Sequence, residues 1–250
     1  MEELRLQLQI IRKNFRIIPR FFPYSRAVMI ADDEILTFDH PVILVGAAPV
    51  KIGAALEGLP GSWPLIATDG GADALLALGR RPDLVIGDMD SAGPLPDDLP
   101  RLQLSGQDDT DFEKCLARVN APFVAGLGFL EGRFDHTLAA VHALMALPHD
   151  RPVLLFGATD VVLRLRGDIA FDAKPDERVS VWPLGAQMFH GSTGLKWPLD
   201  GLRMAPGKLI GTSNLATGGG VRISAGAGDG YAVIMPREAA QSLIDAVLGS

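Results

Sequence analysis

From Pro41 to about Gly157, short runs without a polar interruption alternate with stretches whose apolar residues recur every three or four positions. "PVILVGAA", "WPLIAT", "RPDLVIG", "PFVAGLG" and "RPVLLFG" are of the first kind. A strand covered on both faces has no polar side to show, so these runs predict buried, parallel strands. "APVKIGAALEGL", "ADALLALG", "TDFEKCLARV" and "HTLAAVHALMAL" are of the second kind and predict helices, one of them closed by Gly79. Such alternation predicts a mostly parallel sheet with helices on both faces, a three-layer, Rossmann-like α/β fold.

After Gly157 the rhythm changes. "DVVLRLRG", "DIAFD", "RVSVWPLG", "KLIGTS", "VRISAG" and "YAVIMP" are short, several alternate strictly, and Gly, Pro and Asp separate them. Only "REAAQSLIDAVL" has helical spacing there. This pattern predicts a mostly antiparallel β-sandwich. The expected organisation is an N-terminal extension at 1–40, an α/β domain at 41–157 and a β-sandwich domain at 158–250. The first 28 residues mix six Lys/Arg with scattered Leu, Ile and Phe. They read as an upstream extension, with Met29 an alternative start. A targeting presequence fits less well, because Glu2 and Glu3 stand first and no clean apolar core follows.

Composition narrows the function. A formal charge of -7 disfavours nucleic acid, whose binding surfaces are basic. It does not disfavour a phosphorylated ligand, because a divalent metal reverses the local sign. Cys115 stands alone, which excludes an intrachain disulfide and suits a reducing cytoplasm. No apolar stretch approaches the roughly 20 residues of a membrane span, so no membrane partner is expected.

The acids carry the chemistry. Between Asp69 and Asp111 lie ten aspartates, no glutamate and three cations, Arg80, Arg81 and Arg101. Asp69 follows "PLIAT" and Asp88 follows "LVIG", at the carboxyl ends of strands where open parallel sheets bind ligands. If the chain stays extended, Asp88 and Asp90 face one side, and Gly87 lets the backbone turn. Gly70 and Gly71 would expose amides at a helix start, where phosphate is favoured. In "QDDTDFEKCL", Thr110 and Glu113 have capping-box spacing, which puts Asp111 in a first helical turn. The helix dipole accounts for one or two acids there, but not for Asp108, Asp109 and Asp111 beside two strand-end acids. Acids about 4 Å apart repel by roughly 1 kcal/mol in water and about 4 kcal/mol near a protein surface. A hard dication such as magnesium or calcium reverses that sign. An acidic rim and a metal cage both remain open at this point.

No Walker loop, HExxH or GxSxG pattern occurs, and "GLGFLEG" fits a dinucleotide fingerprint only loosely. In "EGRFDHTLA", Arg133 has two readings, a phosphate fork or a salt bridge to Asp135. "GTSNLATGGG" offers Ser213, Asn214 and Thr217 on a turn, and Trp197 in "GLKWPLD" reads as core or as a ligand platform.

In order, "DGGA", "PDLVIGDMDS", "QDDTDFEKCL", "GRFDHTLA", "GLKW" and "TSNLATG" resemble the thiamine pyrophosphokinase family over roughly residues 41 to 236. The resemblance implies an α/β domain for ATP and magnesium, a β-sandwich that helps bind thiamine, and an active site at a homodimer interface. The implied reaction transfers the terminal diphosphate of ATP to the hydroxyethyl oxygen of thiamine and releases AMP. By motif, Asp88, Asp90 and Asp111 resemble the magnesium ligands, with Asp69 nearby and Gly70 and Gly71 beside it. Gln107 and Asp108 belong to the same motif as Asp111 and would touch phosphates or acceptor. Arg133 and Asp135 resemble nucleotide contacts; Trp197, Ser213 and Asn214 resemble thiamine contacts. The sequence departs from the family pattern at Asp73, where Asn is frequent, at Glu113, where Thr is, and at His136, where Gln is usual. Two alternatives stand beside this reading: a diphosphokinase for another alcohol, such as a hydroxymethyl pterin, and a nucleotide- or thiamine-binding protein without catalysis.

Overall fold

The structure, a computed structural model, describes residues 35–48, 51–90, 93–104, 109–148 and 150–249. Gln107, Asp108 and the basic segment up to Met29 lie outside the described residues. In chain order the elements are β1 (Leu36–Thr37), β2 (Val42–Val45), α1 (Ile52–Glu57), β3 (Leu65–Thr68), α2 (Asp69–Ala77), β4 (Leu84–Gly87), β5 (Arg101–Gln103), α3 (Asp111–Arg118), β6 (Val119–Asn120), β7 (Val124–Leu127), α4 (Phe134–Ala146) and β8 (Val153–Phe156). There follow β9 (Asp160–Leu165), β10 (Ile169–Ala173), β11 (Arg178–Pro183), β12 (Gln187–Thr193), β13 (Arg203–Met204), β14 (Gly211–Leu215), β15 (Gly219–Gly228), β16 (Tyr231–Pro236), a 3₁₀ turn at Arg237–Ala239 and α5 (Ala240–Leu248).

One sheet runs through both halves. Its ten strands lie in the order β14-β11-β16-β9-β8-β7-β2-β3-β4-β5. The segment from β8 to β5 is parallel throughout, and from β8 to β14 every pairing is antiparallel. The expected boundary near residue 157 therefore falls between two adjacent strands of the same sheet, β8 and β9. Apart from the edge strand β5, the parallel strands are buried at every position, as their unbroken apolar runs require. Alternate residues feed two cores. Val45, Ala67, Val85 and Leu127 meet α1 and α2 on one face. Leu44, Ile66, Ile86 and Leu155 meet α3 and α4 on the other.

A second, four-stranded sheet, β10-β15-β12-β13, packs over the antiparallel half on the α1/α2 side through Phe171, Phe189, Val221 and Ile223. No described helix covers that half's opposite face, where Val162, Trp182 and Ile234 are only partly buried. Leu36 and Phe38, inside the segment expected to be an extension, are buried, and β1 pairs in parallel with β6. The run "KLIGTS" contributes a strand only from Gly211 onward, and β12 arises from "QMFHGST", whose polar composition hid it.

Candidate active site

The sheet's strand order reverses at β2, with β3 and β4 on one side and β7 and β8 on the other. A crevice opens at such a point because the loops after neighbouring strands leave in opposite directions. Two glycines let the loops after β2 and β7 approach closely there: a Cβ on Gly46 would lie 2.5 Å from the Gly128 carbonyl oxygen, and one on Gly128, at φ 75°, would lie 2.5 Å from that of Gly46. The crevice holds about 620 Å³, within the range of small-molecule sites. The sequence reading passed over both glycines. "GLGFLEG" carried the signal, but as a backbone contact rather than a fingerprint.

One wall of the crevice is acidic. Thr68 caps α2 by accepting from the Gly71 amide at 3.1 Å, so α2 begins at Asp69. Asp69 is fully buried, with its carboxylate accepting from the Gly70 amide at 2.8 Å. Gly87 makes room for it, since a Cβ there would come within 3.0 Å of the Asp69 carboxyl carbon. That differs from the expectation that Gly87 supplies a turn. The turn falls on Met89, whose φ of 67° is left-handed and uncommon for a residue with a side chain. Asp88 and Asp90 thus converge through a bend rather than along an extended strand, and the Asp90 amide donates to Asp88 Oδ1 at 3.4 Å. Carboxylate oxygens of Asp69, Asp88 and Asp90 all lie within 4.8 Å of one another.

Asp111 joins differently. Thr110 and Glu113 form the reciprocal capping box, with Glu113 accepting from the Thr110 amide at 2.9 Å, which sets Asp111 in the first turn of α3. One turn on, Lys114 Nζ lies 3.2 Å from Asp88 and 3.5 Å from Asp111. Of the expected metal ligands Asp88, Asp90 and Asp111, the structure gathers Asp88 and Asp90 with Asp69, and ties Asp111 to Asp88 through Lys114. Sequence reasoning missed Lys114, because one lysine in an amphipathic helix looks like a solvated face. Burial works to raise the Asp88 carboxyl, but hydrogen bonds from Asp90 and Lys114 outweigh it and hold the group below its usual range. Asp111 goes the other way, raised by burial and then by the charge of Asp69.

The facing wall carries Glu131, Arg133 and His136. Its loops run from Gly46 to Ala48 and from Gly128 to Arg133, and α4 starts there with no side-chain cap at Arg133. The positive end of the helix dipole thus faces the acids. Arg133 and Asp135 bond each other through Nε to Oδ1 at 3.1 Å and a second nitrogen to Oδ2 at 2.5 Å. Both are exposed, and a bridge between exposed side chains contributes little, so Arg133 stays available to an anion. Gly70 lines the crevice. Gly71 does not: its amide is taken by Thr68, and its missing Cβ lets α2 sit against the Val45 carbonyl. Asp73, the departure from Asn, accepts from the Gly93 amide at 2.9 Å, which an amide oxygen would also do.

Trp197, Ser213 and Asn214 are far away. Asn214 accepts from the Trp197 amide at 3.1 Å and the Leu215 amide at 2.9 Å, and donates to the Trp197 carbonyl at 2.6 Å. Ser213, at φ 58°, donates its amide to Ser180 Oγ at 3.0 Å. These bonds fix the backbone under Trp197 and leave its ring 53% exposed. β14 and β4 are eight steps apart in the sheet, about 38 Å at the usual strand spacing. The structure brings the acids together and the acceptor-motif residues together, and keeps the two groups apart within one chain.

A family model described as the thiamin pyrophosphokinase catalytic domain matches residues 60–155, and one described as the vitamin B1 binding domain of the same family matches residues 168–228. The chain is 30% identical over 165 residues to thiamine pyrophosphokinase 1 of Oryza sativa subsp. japonica, a stretch covering 58% of this chain and 62% of that one. It is 29% identical over 172 residues to thiamin pyrophosphokinase 1 of Caenorhabditis elegans, covering 61% and 71%. Among solved structures it resembles the thiamin pyrophosphokinase of Geobacillus thermodenitrificans, with a TM-score of 0.64, 22% identity and coverage of 78% and 96%. The Candida albicans enzyme gives 0.62, 16%, 84% and 98%. At such identities the structural likeness establishes the fold.

Proposed function

The chain belongs to the thiamin pyrophosphokinase family, and from that premise we propose that it transfers the diphosphate of ATP to the hydroxyethyl oxygen of thiamine, giving thiamine diphosphate and AMP. The observation that carries this reading is the crevice at the strand-order reversal, with clustered carboxylates on one wall and Arg133 and a helix start on the other. A polyphosphate bridged to a dication is the ligand that satisfies both walls. The match to a vitamin B1 binding domain favours thiamine over a pterin alcohol.

Magnesium fits the residues. The carboxylate oxygens of Asp69, Asp88 and Asp90 lie within 4.8 Å of one another and are the hard donors such an ion takes. These three, with Asp111, would hold it, and when bound it would neutralise charge on the phosphoryl oxygens. The protein's own part is alignment. Arg133 and the first turn of α4 would orient the phosphates. Among the described residues of the crevice no side chain is placed as an evident base, and a loose transition state lets the acceptor proton leave late.

The separation of the Trp197 turn from the acids supports a site built from two copies, with the acceptor turn of one meeting the acids of the other. The face bearing the partly buried Val162, Trp182 and Ile234, which no described helix covers, is a surface of the right character for a second chain. A buried, lone Cys115 is in keeping with activity in the cytoplasm, and no helix among the described residues is long and apolar enough to cross a membrane. The test is product analysis with ATP, magnesium and either thiamine or a hydroxymethyl pterin. AMP and thiamine diphosphate should form only with thiamine and only with the metal. AMP release with the pterin alone, or none with either, would refute the assignment.

A further inference from the structure

Lys114 is the single cation among the described residues of the acidic wall, and its surroundings are unusual for a lysine. A four-carbon stem normally carries the ammonium out to water. Here α3 presses its Phe112–Leu116 face onto the sheet, and the Lys114 side chain keeps only 8% of its exposure. Its partners are Asp88 Oδ2 and Asp111 Oδ1, carboxylates that a dication in this cluster would need. A dication bonded to Asp88 would stand within about 5 Å of Nζ, where like charges repel. The alternative partners for the ammonium are phosphate oxygens entering the same crevice.

We propose that Lys114 is a positioning residue that acts as a tethered counter-ion. In the ligand-free protein it holds Asp88 and Asp111 toward the crevice, and its charge opposes entry of a bare dication. The cation then enters with the nucleotide, whose phosphates accept the ammonium that the carboxylates release. Metal and nucleotide thereby strengthen each other's binding, each by the same factor. This inference rests on the metal–nucleotide reading above.

The experiment titrates Mn²⁺ into nucleotide-free protein, following the free-ion spin-resonance signal, and repeats it with a non-hydrolysable ATP analogue. Lys114→Met is expected to bind Mn²⁺ about tenfold more tightly than wild type without nucleotide, and to lose a similar factor of the tightening the analogue produces. Lys114→Arg keeps the charge and should stay near wild type. A lysine that merely supported the fold would give the opposite sign, so weaker or unchanged Mn²⁺ binding in Lys114→Met overturns the proposal. Should that variant not fold, Lys114→Gln is titrated with the same two outcomes. If wild type takes up no Mn²⁺ with or without the analogue, the metal reading itself falls and this inference with it; uptake by wild type with no gain in the variant overturns the role of Lys114 alone.

Discussion

The two ends of the ten-stranded sheet are built on opposite principles. At the acid end, Asp69, Asp88 and Asp90 lie close together, and the Lys114 ammonium links Asp88 to Asp111. At the other end, Asn214 is buried with three hydrogen bonds already made, and its work is to hold a tryptophan ring out in solvent. On the proposed reading the first end is finished by a cation. The second is complete, and offers a shape. Electrostatic sites gain their selectivity from what they lack, and stacking platforms from rigidity prepared in advance.

That contrast breaks most sharply under substitution of its two centres. Asp88→Asn or Asp90→Asn should lower kcat for diphosphate transfer about 100- to 1000-fold, with thiamine affinity in a calorimetric titration little changed. Asn214→Ala should do the reverse, raising KM for thiamine while the metal dependence stays put, and should cost about 1–3 kcal/mol in urea unfolding, because the Trp197 backbone loses its partners. A kcat loss with unchanged KM in Asn214→Ala would erase the distinction.

Mixing the two ends comes next in size. If the site is shared between copies, an equimolar mixture of Asp88→Asn and Asn214→Ala chains, unfolded and refolded together, should recover about a quarter of wild-type turnover. Half of its dimers are mixed, and each mixed dimer carries one intact site. No recovery would place both ends of the reaction in one chain.

Smaller effects sharpen the acid end by pH. The Asp88 carboxyl lies below its ordinary value, so its ionised form adds stability above pH 4 that is lost as pH falls through the lowered folded value. Asp111 lies above its ordinary value, so its protonated form is favoured below pH 4 and that contribution is lost as pH rises through the raised value. Without metal at pH 7, Asp88→Asn should lower Tm and Asp111→Asn should raise it, each by about 1–2 °C after solvent screening. Both differences should shrink near pH 3 in scanning calorimetry. The smallest expected change is at the acceptor end. Ser213→Gly relieves a left-handed backbone and should raise stability by no more than about 1 kcal/mol in the same unfolding assay.

The parallel half was legible because strands such as Val42–Val45 and Val153–Phe156 are buried on both faces and cannot carry polar residues. β12 was not, because its residues from His190 to Thr193 are only partly buried or exposed and impose no alternation. Within the site, the sequence located the acids through their place after apolar runs, and the Thr110–Glu113 spacing located Asp111. What it could not reveal were relations across the chain. Lys114 meets Asp88 across 26 positions, Asn214 meets Trp197 across 17, and Gly46 meets Gly128 through backbone alone. The bend at Met89 was likewise hidden, because nothing about a methionine announces a left-handed conformation.

β8 and β9 hydrogen-bond to each other along Val153–Phe156 and Val161–Arg164, so the passage from one half to the other is woven rather than jointed. Flexing there would tear a ladder of backbone bonds. The frame is a caliper locked at one opening: unbroken strand pairing from β14 to β5 holds its two jaws apart at a set distance.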